Sequence, residues 1–311
     1  MSTVSLNVQG SRLFLRLKNQ EKNRMKKSLL GAAIALSIAG LAACTGEAKA
    51  SDVTIYGQVE ASVSTSASSK NIADDSYLGF SVSEALDAEG NSAFAKIEMG
   101  IDGDASANGD QVTVRESYVG VNYDGITAQV GKQKNLRKTM VNGVDAFQGS
   151  SSFSVAGATR AADSAMIKTE IAGVTVAAST ILDGTANADE VGETRELGAS
   201  VELQGINLSV VQSKVGSADA VMTYAASGSV AGIDLAIAHE PDATNSTTTV
   251  VGEMDFGANT VRVGNSFVTD GDNTMVAEVA HNFSKSTSAF VNYGKTENAD
   301  STTSVGIAMT F

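Results

Sequence analysis

The sequence predicts an all-β fold, a 16-stranded antiparallel β-barrel that crosses a membrane. Three observations predict it. Short runs alternate apolar and polar side chains with period two, and no apolar stripe at helical spacing accompanies them. The connections between runs alternate in kind, one tight and glycine-bearing, the next longer and polar. The runs number sixteen, an even count too large for one β-sandwich of the usual size.

The last run shows the alternation well. Thr303, Val305, Ile307, Met309 and Phe311 share one face, and Ser304, Gly306, Ala308 and Thr310 share the other. Successive side chains of a strand point to opposite faces, so this strand is apolar on one side and small or polar on the other. In chain order the runs fall near 53–65, 75–84, 92–101, 111–123, 126–133, 162–171, 174–182 and 194–203, then 206–214, 219–230, 233–239, 246–256, 259–269, 273–283, 286–296 and 302–311. The tight connections are Asp124-Gly125, Ala172-Gly173, Gln204-Gly205, Ala231-Gly232 and Gly257-Ala258. Glycine supplies the positive φ that two-residue hairpins require. The longer connections include 66–74, 102–110, 183–193, 240–245 and 297–301. Short turns at one end and longer loops at the other are the plan of an outer-membrane barrel, and closure disposes of the edge strands that repeated hairpins leave. A soluble sandwich or solenoid would alternate too. Against it stand the strand number, the aromatic last residue Phe311, and the Ser, Thr, Gly, Gln, Asn and charged side chains opposite the apolar face, which suit a wet lumen.

The first fifty residues are read apart from this fold. Met25-Lys26-Lys27, the apolar run 29–41 and the small-x-small site Ala48-Lys49-Ala50 make 25–50 a secretory signal peptide. The run is too short to span a membrane. Residues 1–24 fit no targeting pattern and are read as an over-extended start with Met25 as initiator, the alternative being a long charged n-region. Cys44, the single cysteine, follows Leu41-Ala42-Ala43 in a sequence like a lipoprotein cleavage box. Cleavage after Ala50 is preferred, because a strand pattern starts at once with Asp52-Val53-Thr54-Ile55. The mature domain is then 51–311.

Charge and composition exclude several classes. Residues 1–50 hold 8 of the 22 basic and 2 of the 35 acidic side chains, which leaves 14 against 33 and a net charge of −19 for 51–311. Nucleic acid is not a partner for such a chain, since that affinity rests on Lys and Arg neutralising phosphates. The acidity serves either a solvated surface or a polar lumen that favours cations. No enzyme, metal or cofactor is expected. His239 and His281 lack metal-ligand spacing, no phosphate loop or nucleophile elbow occurs, and the acid pairs Asp74-Asp75 and Asp189-Glu190 sit in predicted loops.

One stretch breaks the rhythm. After Gln133 regular alternation is lost until Arg160. A structureless segment of this length among short links is functional or disordered. Val144, Phe147, Phe153 and Val155 give it something to bury, so it is read as a loop folded back into the barrel.

These residues also carry a resemblance. Val53-Thr-Ile-Tyr-Gly57, Ser76-Tyr-Leu-Gly-Phe80, Arg115-Glu-Ser-Tyr-Val-Gly-Val121, Val130-Gly-Lys-Gln133, Asp145-Ala-Phe147 and the terminal Phe311 occur in the order and spacing of the general (non-specific) porins of Gram-negative outer membranes, over nearly all of 51–311. What the resemblance implies is a homotrimeric pore in the outer membrane, in contact with its lipid and lipopolysaccharide. The third external loop, 134–159 by count, narrows the pore from inside. It further implies a constriction in which wall arginines, here Arg115 and Arg160, face loop acids, here Asp145, beside Phe147. Porins usually carry arginine before Leu-Gly-Phe, where this chain has Tyr77, so the basic wall is thinner and strong anion preference is in doubt. Lys132, Lys134, Arg137 and Lys138 are read as rim charges. Phe311 would belong to the signal that the barrel-assembly machinery reads. The expected function is a passive diffusion channel for small hydrophilic solutes and ions, with a secreted or lipid-anchored β-rich adhesin or binding module as the alternative.

Overall fold

A computed structural model of the chain describes residues 52–65, 70–73, 75–101, 112–141, 143–149, 151–153, 155, 159–182, 194–216, 218–241 and 245–311, all within the compact unit Lys49–Phe311. The signal peptide, Cys44, Asp74, Asp189-Glu190 and the loops 102–110 and 183–193 lie outside the described residues.

The strands are β1 (Asp52–Thr65), β2 (Lys70–Ala73), β3 (Ser76–Ala85), β4 (Ser92–Ile101), β5 (Val112–Tyr123), β6 (Ile126–Lys134), β7 (Arg160–Ile171), β8 (Val174–Ile181) and β9 (Thr194–Leu203). The second half adds β10 (Ile206–Val215), β11 (Val221–Val230), β12 (Ile233–Glu240), β13 (Thr247–Phe256), β14 (Asn259–Val268), β15 (Thr274–Asn282), β16 (Thr287–Thr296) and β17 (Thr302–Thr310). One short helix, α1 (Leu136–Met140), interrupts the series between β6 and β7. From β3 onward each strand pairs antiparallel with the next, and β1 pairs with both β17 and β3, so the sheet closes on itself.

The barrel has sixteen strands although seventeen segments are named. β2 and β3 pair with β1 in one register, Ala73 opposite Ser62 and Tyr77 opposite Gln58, so they are one strand with a break. The expectation that 66–74 is loop throughout is thereby corrected. The hairpin of β1 continues past the break because the antiparallel ladder can still be extended there.

The tight turns adopt the expected geometry. Asp124, Ala172, Gln204 and Ala231 have φ of 50 to 54°, each followed by a glycine at 74 to 81°. Positive φ at both central residues matches the twist of the flanking strands. Gly257 alone is positive in its turn, at 63°, which is the alternative with glycine first.

The apolar face points outward. Val305, Ile307, Met309 and Phe311 are all more than half exposed, while Ser304 and Ala308 on the opposite face are buried. Val53, Ile55, Val59, Ile97, Val119, Leu197, Val263 and Val291 continue the exposed band around the barrel. The inward face departs from the expected small and polar set in one sector. Ala236, Ala238, Val251 and Val276 are buried there and pack with Val141, Val144, Phe147, Phe153 and Val155 of the segment between β6 and β7. Leu136 and Met140 of α1 form a second cluster with Met166, Ala177 and Val211. Those wall positions are apolar because protein covers them.

Candidate functional site

The wall cluster begins with a register fault. β4 and β5 are in step from Ser92 opposite Asn122 to Glu98 opposite Glu116, and then Met99 stands opposite Val114. Arg115 is thus the extra residue of a bulge, and a bulge re-aims a side chain. Regular alternation would send residues 115 and 116 to opposite faces. Here both join one cluster, Arg115 through Nε to Glu98 Oε1 at 3.1 Å and Glu116 through Oε2 to Lys96 Nζ at 3.1 Å.

Two buried carboxylates hold four cations together. Lys96 Nζ also lies 3.1 Å from Glu98. Arg160, the first residue of β7, reaches Glu98 with Nη2 at 3.4 Å and Glu116 with Nε at 3.3 Å. Lys134 Nζ is 3.9 Å from Glu116. Glu98 and Glu116 are 4% and 2% exposed, and a buried charge is tolerated only when it is paired and hydrogen-bonded. The Tyr56 hydroxyl donates to Glu98 Oε2 at 3.0 Å. Arg115 also pairs with the exposed Asp75 at 3.0 Å and stacks on the Tyr77 ring, 4.6 Å from its centroid. Tyr77 therefore acts as a platform for the wall arginine.

Arg115, Arg160 and Tyr77 are thus brought together, the two arginines on Glu98 and the Tyr77 ring against Arg115. Asp145 is not in ionic contact with them: its carboxylate pairs with Lys138 at 3.4 Å. Phe147 is buried edge-to-face against Phe153, with centroids 5.5 Å apart. Arg137, expected at the rim, is buried with Nη1 3.5 Å from Glu240, because α1 carries it back against the wall. Lys134 joins the wall cluster rather than the rim.

The segment between β6 and β7 is tied down by acids from four strands. Leu136 N donates to Glu196 Oε2 at 2.6 Å, Gln148 N to Glu278 Oε2 at 2.7 Å, and Gly149 N to Glu60 Oε1 at 3.1 Å. Glu240 takes Arg137, and Asn292 Nδ2 donates to Ser151 O at 3.0 Å. Irregular backbone cannot satisfy its own N–H groups, so buried ones need acceptors from elsewhere. Carboxylates make the stronger, charge-assisted kind. Gly149 is required where it stands: its φ is 73°, and a Cβ would come within 2.8 Å of the Phe290 ring. At the start of the segment, Asn135 caps α1 by accepting from Lys138 N at 3.0 Å, and it accepts from Thr159 N at 3.2 Å. One side chain thereby joins both ends of the segment.

Sequence reasoning missed Lys96, Glu98, Glu116, Glu60, Glu196, Glu240 and Glu278. Glu60, Glu98 and Glu196 lie on strands whose neighbours two positions away are polar or small, as in Tyr56-x-Gln58-x-Glu60-x-Ser62, whereas Lys96, Glu116 and Glu278 have Phe94, Val114 with Tyr118, and Val276 at that spacing. A charge at the polar parity must face water or a partner, and this was the available signal for the first three.

A closed antiparallel barrel with an apolar band outside and polar and charged groups inside is a transmembrane β-barrel. The model of the Gram-negative porin family matches residues 32–301, and the chain belongs to that family. It is a diffusion channel of the Gram-negative outer membrane and not an enzyme, so the adhesin alternative falls. Among solved structures the anion-selective porin of Comamonas acidovorans is similar over 84% of this chain and 100% of that one, at 16% identity and a TM-score of 0.68. Salmonella typhi OmpF in complex with daunomycin is similar over 83% and 97%, at 13% identity and 0.70. A loop L8 deletion mutant of Vibrio cholerae OmpT is similar over 85% and 100%, at 13% identity and 0.67. No curated protein matches the chain significantly.

Proposed function

We propose that segment 134–159 lies inside the barrel as the third external loop and narrows a channel for small hydrophilic solutes and ions, with Arg115, Arg160, Tyr77, Asp145 and Phe147 at the neck. The observation that carries this reading is the set of ties to Glu60, Glu196, Glu240 and Glu278. Those residues share strands with outward apolar side chains of the opposite parity, such as Val59, Leu197 and Val279. The wall arginines meet loop charges across a neck of low dielectric, where a transverse field orients dipolar solutes and sorts ions.

Planar-bilayer recording tests it. Removing residues 140–155 should raise single-channel conductance; an unchanged conductance would put the segment outside the lumen. Replacing Arg115 and Arg160 with glutamine should move the reversal potential in a salt gradient toward cation preference, since Glu98 and Glu116 keep their charge. Asp145→Asn should move it the other way and by less, because that carboxylate is already paired with Lys138. The shifts should be largest in dilute electrolyte, as screening acts over roughly 8 Å at physiological salt. A reversal potential identical in the wild type and the double arginine variant would remove both arginines from the filter.

A homotrimer is part of the same proposal. At the loop end of the barrel the outward aromatics are Tyr224, Phe267 and Tyr293, on β11, β14 and β16. Among the described residues β1 to β9 expose none there, only aliphatic side chains such as Val63, Ile101, Val112 and Val114. Aromatic girdles belong at a lipid interface, so the sector without one suits neighbouring subunits. Lipopolysaccharide would contact the remaining loop-end surface, and the barrel-assembly machinery would act on the last strand.

A further inference from the structure

A recess of about 370 Å³ opens beside α1, on the side facing the tight turns. Its outer reach is given by Thr127, Lys168, Thr175 and Asn207, each within a few residues of the turns at 124–125, 172–173 and 204–205. That volume falls within the range of small-molecule sites, about 300–1,000 Å³.

Its lining has two unlike parts. Leu136, Met140, Met166 and Ala177 form an apolar floor, continuous with the cluster that seats α1. Lys96, Lys134 and Lys168 stand over this floor with one carboxylate among them, Glu116. Lys96 and Lys134 are engaged by that carboxylate at 3.1 and 3.9 Å. Lys168 is exposed to the recess and has no ion pair among the described residues. Gln129 and Thr175 add neutral hydrogen-bonding groups. Among the described residues Lys168 thus stands as an unpaired cation at the open edge of the apolar cluster on which α1 sits.

We infer that this recess binds small organic anions with an apolar body, alkyl or aryl monocarboxylates, as they pass the neck. Lys168 takes the carboxylate and the Met140–Met166 floor takes the hydrocarbon. Glu116 repels a second negative charge, so monoanions fit better than dianions. Acetate has the charge without the body, and an alcohol the body without the charge, so each uses half the site. The inference rests on the channel reading above, because α1 supplies Leu136 and Met140 of the floor.

Current through purified protein in planar bilayers, with sodium hexanoate, butyrate, acetate or 1-hexanol added to potassium chloride, tests this. Hexanoate should reduce the single-channel current saturably. The half-blocking concentration should rise about twofold for each methylene removed, a part of the roughly fourfold that full burial of a methylene commands. Hexanol should not block. Lys168→Gln should raise the half-blocking concentration about threefold, in the range of a part-exposed charge pair, and Lys168→Arg should restore it. Circular dichroism of each variant confirms the folded barrel. Equal effects of hexanoate and acetate, or an unchanged half-block in Lys168→Gln, would overturn the inference while leaving the channel intact. Protein that inserts without conducting would overturn the channel reading, and this inference with it.

Discussion

Glu278 shows how much one side chain does here. Its Oε2 accepts from Gln148 N and from Asn292 Nδ2 at 3.1 Å, and its Oε1 lies 2.5 Å from Arg262 Nη1. Arg262 is also held by Glu253 at 2.7 Å. Removing one partner of a buried pair costs roughly 3–5 kcal/mol when the other charge is left alone, and Glu253 keeps the cost below that here. Glu278→Gln should therefore leave the barrel assembled and loosen residues around Gln148. The expected readout is a rise in open-channel current noise with little change in mean conductance. Noise equal to wild type would mean that Gln148 is held elsewhere. At this scale the residue types were legible and the pairings were not. Arg115 and Arg160 stood out through the resemblance, at positions where porins carry wall arginines, yet their shared partner Glu98 depends on a bulge that no local pattern announces. Asp145 was matched with those arginines, but Lys138, seven positions earlier on the same segment, is its partner.

Elements were the most readable level. Period two marks a strand wherever the two faces meet different media, and a barrel wall has water or protein on one side and lipid on the other. The strand ends therefore agree within a few residues, from Asp52–Thr65 to Thr302–Thr310. β2 was hidden because it extends a ladder whose partner, β1, had already been assigned. α1 was hidden because five residues carry too little periodicity to register. The last strand makes its own prediction. Phe311 exchanges backbone hydrogen bonds with Gly57 at 3.0 and 3.1 Å, and its ring lies over Gly57, where a Cβ would come within 2.6 Å. Its side chain is 60% exposed on the apolar face. Deleting Phe311 should open one end of the β1–β17 seam and lower the amount of heat-modifiable, assembled protein several-fold. Unchanged assembly would separate this residue from barrel closure and from any assembly signal.

For the whole molecule, the aliphatic sector of β1 to β9 leads to an expected mass in detergent of three chains, measured by light scattering corrected for bound detergent. A single-chain mass in mild detergent would assign that sector to lipid. Class, strand number and membrane followed from alternation along the chain and from the order of turns and loops, which are local, and the diffusion function followed from the resemblance of the sequence motifs to those of the general porins. Tertiary structure alone decided what the segment between β6 and β7 touches, which carboxylates bind it, and that Lys168 stands beside an apolar floor with no ion pair among the described residues. Those facts depend on residues far apart in sequence meeting, such as Glu60 of β1 with Gly149 and Glu278 of β15 with Gln148 of the segment. A period-two pattern says which way a side chain points, and only closure of the sheet says what it will meet there.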